Sequence, residues 1–456
     1  MRILDRGSGS GPDAVRTLAA EAVAHALGAG AGEAEALVLG GHEELTRFAN
    51  SEIHQNVAES STTVNLRVIV GRRVGVASGN RIDADGLAEL ARTAVTVARV
   101  QPERDTDPVL PSAAPIAAIS GTAAAATAEA TPEERAEAAR RIIAAADAEG
   151  VLAYGSYRTT TELVAVVNSR GVSAAETRTL GHAITVMMGP DGGTGYAEAA
   201  AVDHRTIDAA ALGREAAAKA RATANAIAVP AGDYPVVLEP YAVVDLLDML
   251  GYLGFSGLAV EEERSFAEPG RVIGSSLVTI RDDATDPAGT PVSFDYEGVA
   301  KQPVLLVEAG VCRDVVWDAE TGQRAGRAST GHGLPAPNTY GPFPLNMLMS
   351  SGTSTREELI GGLERGLLVT RFHYTNVVHP KLAIITGMTR DGLFLVEDGR
   401  VVGPVRNLRF TQSYLDALAG VEAVGRECRL LRGFLGTSSV PAVRIGSFGF
   451  TGVTEH

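Results

Sequence analysis

Three histidines in the C-terminal half, His332, His373 and His379, are the side chains here whose type and spacing could hold a metal ion. Three neutral imidazoles would leave a tetrahedral zinc one open position for a water. His373 and His379 are six apart, and on a strand an even spacing puts both on one face. His332 would join them from the glycine-bracketed run Ser329-Thr-Gly-His-Gly333. Pro380 directly follows His379 and argues that the strand has already ended. An independent metallohydrolase is therefore kept only as an alternative, with Cys428 as a further candidate ligand. Serine chemistry has less support. Gly254-Phe-Ser-Gly257 and Gly436-Thr-Ser-Ser439 lack the Gly-x-Ser-x-Gly strand–turn–helix setting. The glycines of 189–195 lack the lysine and helix start of a phosphate loop.

The elements that must position such groups change character near residue 231. Before it, two similar units follow one another. The first reads as a helix over 13–27, strands at 34–39, 46–57, 61–70 and 73–77, and a helix over 83–100. The second reads as a helix over 132–148, strands at 153–160, 163–168, 173–188 and 193–200, and a helix over 207–222. Asn50-Ser51 and Asn168-Ser169 fall at matching places and suit hairpin turns. Such units predict an antiparallel sheet with helices on one face, and two of them side by side could share one sheet. The span 108–130, rich in Pro, Ala and Thr, reads as a linker. Residues 1–12 read as a flexible N-terminus, and 13–230 as one α+β domain.

From 231 to 456 a helical stretch (236–260) gives way to short apolar runs cut by glycine and proline, at 277–280, 304–308, 311–317, 367–372, 382–388 and 393–396. Glu397-Asp-Gly-Arg400 predicts a hairpin. A helix over 409–421 and a strand over 442–446 complete a β-rich, nearly closed domain.

Composition narrows the function. A net charge of −15 argues against a phosphate-binding surface and so against nucleic acid. Arg135 and Arg140-Arg141 alternate with acids and read as a solvated helix face. Two cysteines, Cys312 and Cys428, suit a reducing compartment without a disulfide framework. No apolar run reaches the roughly 20 residues of a membrane span, and the N-terminus lacks a signal-peptide core. These features point to the cytoplasm.

One segment carries more specific information. Val236-Val-Leu-Glu-Pro-Tyr-Ala-Val-Val-Asp-Leu-Leu-Asp-Met-Leu250 reads as a strand end entering a helix, with Pro240 in the first turn. With Arg47-Phe-Ala-Asn-Ser-Glu-Ile-His-Gln-Asn56, Asn65 to Ser78, Ser329 to Leu334, Arg371-Phe-His-Tyr-Thr-Asn376 and Ile385 to Gly392, it resembles the TldD/TldE (PmbA) metallopeptidase family over nearly the whole chain. In that family's catalytic, TldD-type subunit the helix carries His-Glu-x-x-x-His. The resemblance sets Leu238 and Val243 at the two histidine positions and retains Glu239. Leucine and valine cannot ligate zinc. The family's third ligand is a cysteine near the C-terminus, and 431–440 here contains none. The resemblance thus implies a metal-less, TldE-like chain with no catalytic residue and no cofactor of its own. Glu239, without a metal-bound water to activate, would cap the helix or pair locally.

The resemblance further implies an N-terminal α+β domain followed by a β-barrel-like domain. It implies a heterodimer with a TldD-like subunit that carries the zinc, enclosing a cavity for unfolded peptide. Candidate cavity residues are Glu239, Ser329, His332, Asn338, Tyr340, Arg371, His373, Tyr374 and Asn376. A non-catalytic peptide-binding homodimer is the alternative.

Overall fold

The structure, a computed structural model, describes residues 11–454. Most of the expected flexible segment 1–12 lies outside them, and Pro12 already opens the first helix. The first unit is α1 (Pro12–Gly28), β1 (Glu33–Ala49), β2 (Glu52–Val70), β3 (Arg73–Gly79) and α2 (Ala84–Val100). After α3 (Ala125–Ala128), the second is α4 (Pro132–Glu149), β4 (Leu152–Asn168), β5 (Ser173–Met188), β6 (Thr194–Ala201) and α5 (Ala209–Ala222). Pairing of β1 with β4 joins them into one antiparallel sheet of order β3-β2-β1-β4-β5-β6.

Three expected strand breaks of the first half are absent, and one expected strand is divided. The strand expected at 34–39 and the start of that at 46–57 form β1, the rest of 46–57 joins 61–70 in β2, and those at 153–160 and 163–168 fuse into β4. The chain reverses at Asn50-Ser51, both at positive φ (51° and 60°), as a two-residue hairpin demands. At the matching turn, Asn168 Oδ1 accepts from the backbone N–H groups of Arg170 and Val172.

Side chains of β1 alternate between the sheet's faces. Ala36 and Val38 pack under α1 and α2, while Leu37 joins Val164, Val166 and Phe294 on the opposite face. The linker is tied to the sheet: Leu110 is buried and Asn168 Nδ2 donates to Pro111 O. Arg135 departs from its expected solvated face. It turns inward from α4 and is fully buried, with Nη1 2.6 Å from Glu44 and hydrogen-bonded to Ala130 O. Arg140 and Arg141 do lie outside, both paired with Glu137.

The duplication extends to how helices approach the sheet. A Cβ on Gly75 of β3 would sit 2.2 Å from Ala94 O of α2, and one on Gly195 of β6 would sit 2.0 Å from Ala216 O of α5. Only glycine permits either approach. Gly75→Ala and Gly195→Ala are each expected to cost about 3 kcal/mol through overpacking, whereas Gly71→Ala, a turn glycine with open space around it, should cost less. Urea midpoints of the three variants test this.

The second half comprises β7 (Gly232–Leu238), α6 (Pro240–Leu253), α7 (Gly257–Glu261), β8 (Ile280–Asp282), β9 (Val304–Glu308), β10 (Val311–Cys312), α8 (Ala319–Arg324), β11 (Met347–Met349), α9 (Arg356–Gly361), β12 (Arg365–His379), β13 (Ile384–Glu397), β14 (Arg400–Pro404), β15 (Leu408–Ser413), α10 (Tyr414–Ala419), β16 (Val421–Arg432) and β17 (Thr437–Val453). The path β7-β12-β13-β15-β17 closes through a β17–β7 pairing into a barrel. Phe372, Phe410 and Phe448 cluster in its core. β16 pairs with β17, and β11, β8, β9 and β10 continue the sheet.

The expected helix over 409–421 begins instead as β15. Leu408 and Phe410 are buried and Arg409 and Thr411 exposed, a period of two that selects a strand. Ser413 then caps α10 by accepting from Asp416 N–H. The runs 382–388 and 393–396 form one strand, β13, which carries Asp391 and Gly392 at positive φ opposite a register shift in β12. No described helix is long and apolar enough to cross a membrane.

Candidate functional site

β7 delivers its last residue, Leu238, into the core, and Glu239 follows as the N-cap residue of α6 with Pro240 at the helix start. Leu238 and Val243 are buried among aliphatic and aromatic side chains. The Glu239 side chain makes no capping bond. Oε2 lies 2.6 Å from Lys219 Nζ of α5, and Oε1 3.0 Å from Arg356 of α9. Burial alone would raise this carboxyl's pKa, but the two cations overcome it and hold it at about 2. Lys219 also bonds Glu215 (2.9 Å), which in turn holds Arg429 (2.7 Å), and both cations lie over the Tyr241 ring. These groups line a cavity of about 370 Å³.

A zinc ion does not fit these residues. Leu238 and Val243 offer only hydrocarbon, and both Glu239 oxygens are committed to cations.

The segment 431–440 meets α6 farther along. Phe434 N–H donates to Asp248 Oδ2 (2.7 Å), and a Cβ on Gly433 would fall 1.9 Å from that oxygen. A Cβ on Gly251 would meet Leu435 at 2.9 Å. A His-Glu-x-x-x-His pattern facing this loop from Asp248 would have Met249 second and Leu253 last. That register also lacks a ligand pair, since Leu253 is aliphatic.

The three histidines are not gathered into a site. His332 is fully enclosed, with Nε2 2.8 Å from Asp282 Oδ1 and Nδ1 2.9 Å from Thr330 Oγ1. It lines a second cavity, of about 310 Å³, between the N-terminal sheet and the barrel half. His373 lies on β12, its pKa lowered first by partial burial and then by Arg371 and Arg390. His379 ends β12, where its Nδ1 accepts from Leu382 N–H. Two register shifts between them break the strict alternation that six-residue spacing assumes. Among the described residues no three His, Cys, Asp or Glu side chains are grouped to hold a metal. Cys428 Sγ contacts Met349 O at 3.8 Å, and Cys312 is buried, its thiol pushed up to about 11 chiefly by that burial.

The other candidates scatter. Ser329 Oγ donates to Trp317 O and accepts from Gly331 N–H. Asn338 bridges Gly341 O and Tyr340 N–H in a local turn, and Tyr340 is exposed beside Phe343. Arg371 pairs with Asp391 and lies over the Tyr196 ring. Tyr374 is exposed at positive φ, and Asn376 Nδ2 donates to its carbonyl. Sequence reasoning passed over Lys219, Lys301, Asp248 and Asp282. A signal existed: the chain has only three lysines among 40 basic residues, and two of the three, Lys219 and Lys301, have side chains only 11% and 4% exposed.

Comparison with known proteins decides the family. Residues 34–98, 126–224 and 231–452 match, in order, domain 1, the central domain and the C-terminal domain of the PmbA/TldA metallopeptidases. The chain belongs to the PmbA/TldD metallopeptidase family. A metalloprotease of Methanothermobacter thermautotrophicus is 29% identical over 238 residues, 50% of this chain and 51% of that protein. A metalloprotease TldD homolog of Haemophilus influenzae is 26% identical over 232 residues, 49% and 47% of the two chains. The matches thus span about half the length of these curated relatives. The fold is that of TldE from Thermococcus kodakarensis, with a TM-score of 0.88 at 20% identity over 95% of this chain and 100% of that one.

Proposed function

We propose that this PmbA/TldD-family chain is a metal-less, TldE-like subunit of a two-chain zinc peptidase. It shapes part of a cavity for unfolded peptide, while a TldD-like partner supplies zinc and the glutamate base. One observation carries the reading: α6 offers no pair of zinc-ligating side chains in either register, and its one N-terminal carboxylate, Glu239, is neutralised by Lys219 and Arg356. A glutamate held at a pKa of about 2 between two cations is also a poor proton acceptor. An extended peptide would bind by strand addition, with backbone contacts supplying affinity at little sequence cost. Two cysteines without a disulfide partner suit a reducing cytoplasm.

Elemental mass spectrometry after zinc loading and desalting tests the proposal. The expected result is well under 0.1 zinc per chain, with peptidase activity only when a chain bearing His-Glu-x-x-x-His is added. About one zinc per chain would overturn it. Peptide binding by a stable homodimer that no such chain activates would favour the homodimer.

A further inference from the structure

The second cavity contains a cation that the protein itself pairs only at long range, with no hydrogen bond. Lys301 has a 4% exposed side chain, and its Nζ lies 3.8 Å from Asp282 Oδ1, beyond hydrogen-bond range. The nearer partners of Asp282 are others: Oδ1 is 2.8 Å from His332 Nε2, and Oδ2 accepts from Asn346 N–H at 2.7 Å. The ammonium therefore brings three donors to the cavity wall with no protein acceptor at bonding distance among the described residues. A buried cation in that position is costly unless acceptors are supplied. Burial lowers its pKa, against the pull of Asp282 and Asp295. Arg178 adds a second cation to the wall, held by Glu176 at 2.7 Å and flanked by the Phe294 and Tyr296 rings. Leu345 and Leu435 supply apolar wall.

We propose that this cavity is a carboxylate subsite, anchored by the Lys301 ammonium, for an acidic group borne by a peptide next to an apolar residue. A carboxylate oxygen supplies the missing acceptor, and about 310 Å³ accommodates the group with one aliphatic side chain. That the carboxylate belongs to a peptide rests on the functional reading above; that the cavity takes a carboxylate does not.

The test uses the full chain alone, without a zinc-bearing partner, so its failure is separate from a failure of the subunit assignment. Acetyl-Ala-Leu as free acid, the same dipeptide as amide, and acetyl-Glu-Leu amide are titrated by calorimetry. A terminal-carboxylate site is expected to bind the free acid at least about tenfold more tightly than its amide. A side-chain-carboxylate site is expected to favour the glutamyl amide by the same factor. Lys301→Met should abolish either preference, and Lys381→Met, at an exposed lysine, should keep it. In wild-type protein the favoured acid should also slow acetylation of Lys301 relative to Lys381, a readout that needs no variant. Equal binding of all three probes, no binding, or a preference that survives Lys301→Met would overturn the proposal.

Discussion

Lys219→Met is expected to cost about 3–5 kcal/mol at pH 7, because it strips a buried carboxylate of its nearer counter-ion. Glu239 would then keep only Arg356, whose side chain is half exposed. Glu239→Gln should cost no more than about 3 kcal/mol, the worth of the ionised form by linkage, since Lys219 retains Glu215 at 2.9 Å and the Tyr241 ring. The double variant should lose less than the two single losses combined, the signature of direct coupling. Trp317, the single tryptophan and buried in the C-terminal core, gives a local fluorescence probe of urea unfolding. The sign with pH follows from linkage. Glu239 titrates at about 2 when folded and near its ordinary 4.5 when unfolded, so its contribution is complete above pH 4.5 and disappears as pH falls toward 2. That amounts to about 3 kcal/mol. Strict additivity of the two substitutions would refute the Lys219–Glu239 pair as an energetic unit.

The Lys219–Glu239 pair also shows where sequence reading stops. The duplication, both Asn-Ser turns and the meander of the first half were legible, because periodicity and turn chemistry are local signals. So was the β-rich second half. The length of β4 was not, because Thr159 to Glu162 interrupt the apolar pattern while neighbouring strands supply the pairing that keeps the strand continuous. Arg135 looked solvated for the same reason: its partner Glu44 lies 91 residues away on β1. The candidate site fared similarly. Glu239 was visible in its own segment, but Lys219 and Arg356 reach it from α5 and α9, which only the fold brings together. His332, His373 and His379 share a half of the chain yet serve separate local structures. Lysine scarcity was the one compositional clue to Lys219 and Lys301.

Asp248 carries the last prediction. Asp248→Asn is expected to leave stability near wild type at pH 4 and to raise it by about 3 kcal/mol at pH 8. Burial drives the wild-type pKa up to about 7 from an ordinary 3.8, with Asp245 adding to the rise and Phe434 N–H opposing it. Oδ1 has no hydrogen-bond partner among the described residues. An acid whose pKa is raised by folding adds stability below its unfolded pKa, and loses it as pH climbs through the folded value. Wild type should therefore weaken between about pH 4 and 7 at this site, while the amide, which cannot ionise, should not. Some of the gain is offset because the new amide N–H inherits Oδ1's unpartnered position, at about 1 kcal/mol. Parallel pH profiles for the two proteins, read from Trp317 in urea, would sink the prediction. A residue that costs stability at neutral pH invites a functional reading, and Asp248 stands where α6 meets 431–440. A variant that is more stable at pH 8 yet fails to support peptidase activity in a mixed complex would assign the carboxylate to function. One that is more stable and fully competent would make Asp248 a dispensable buried charge.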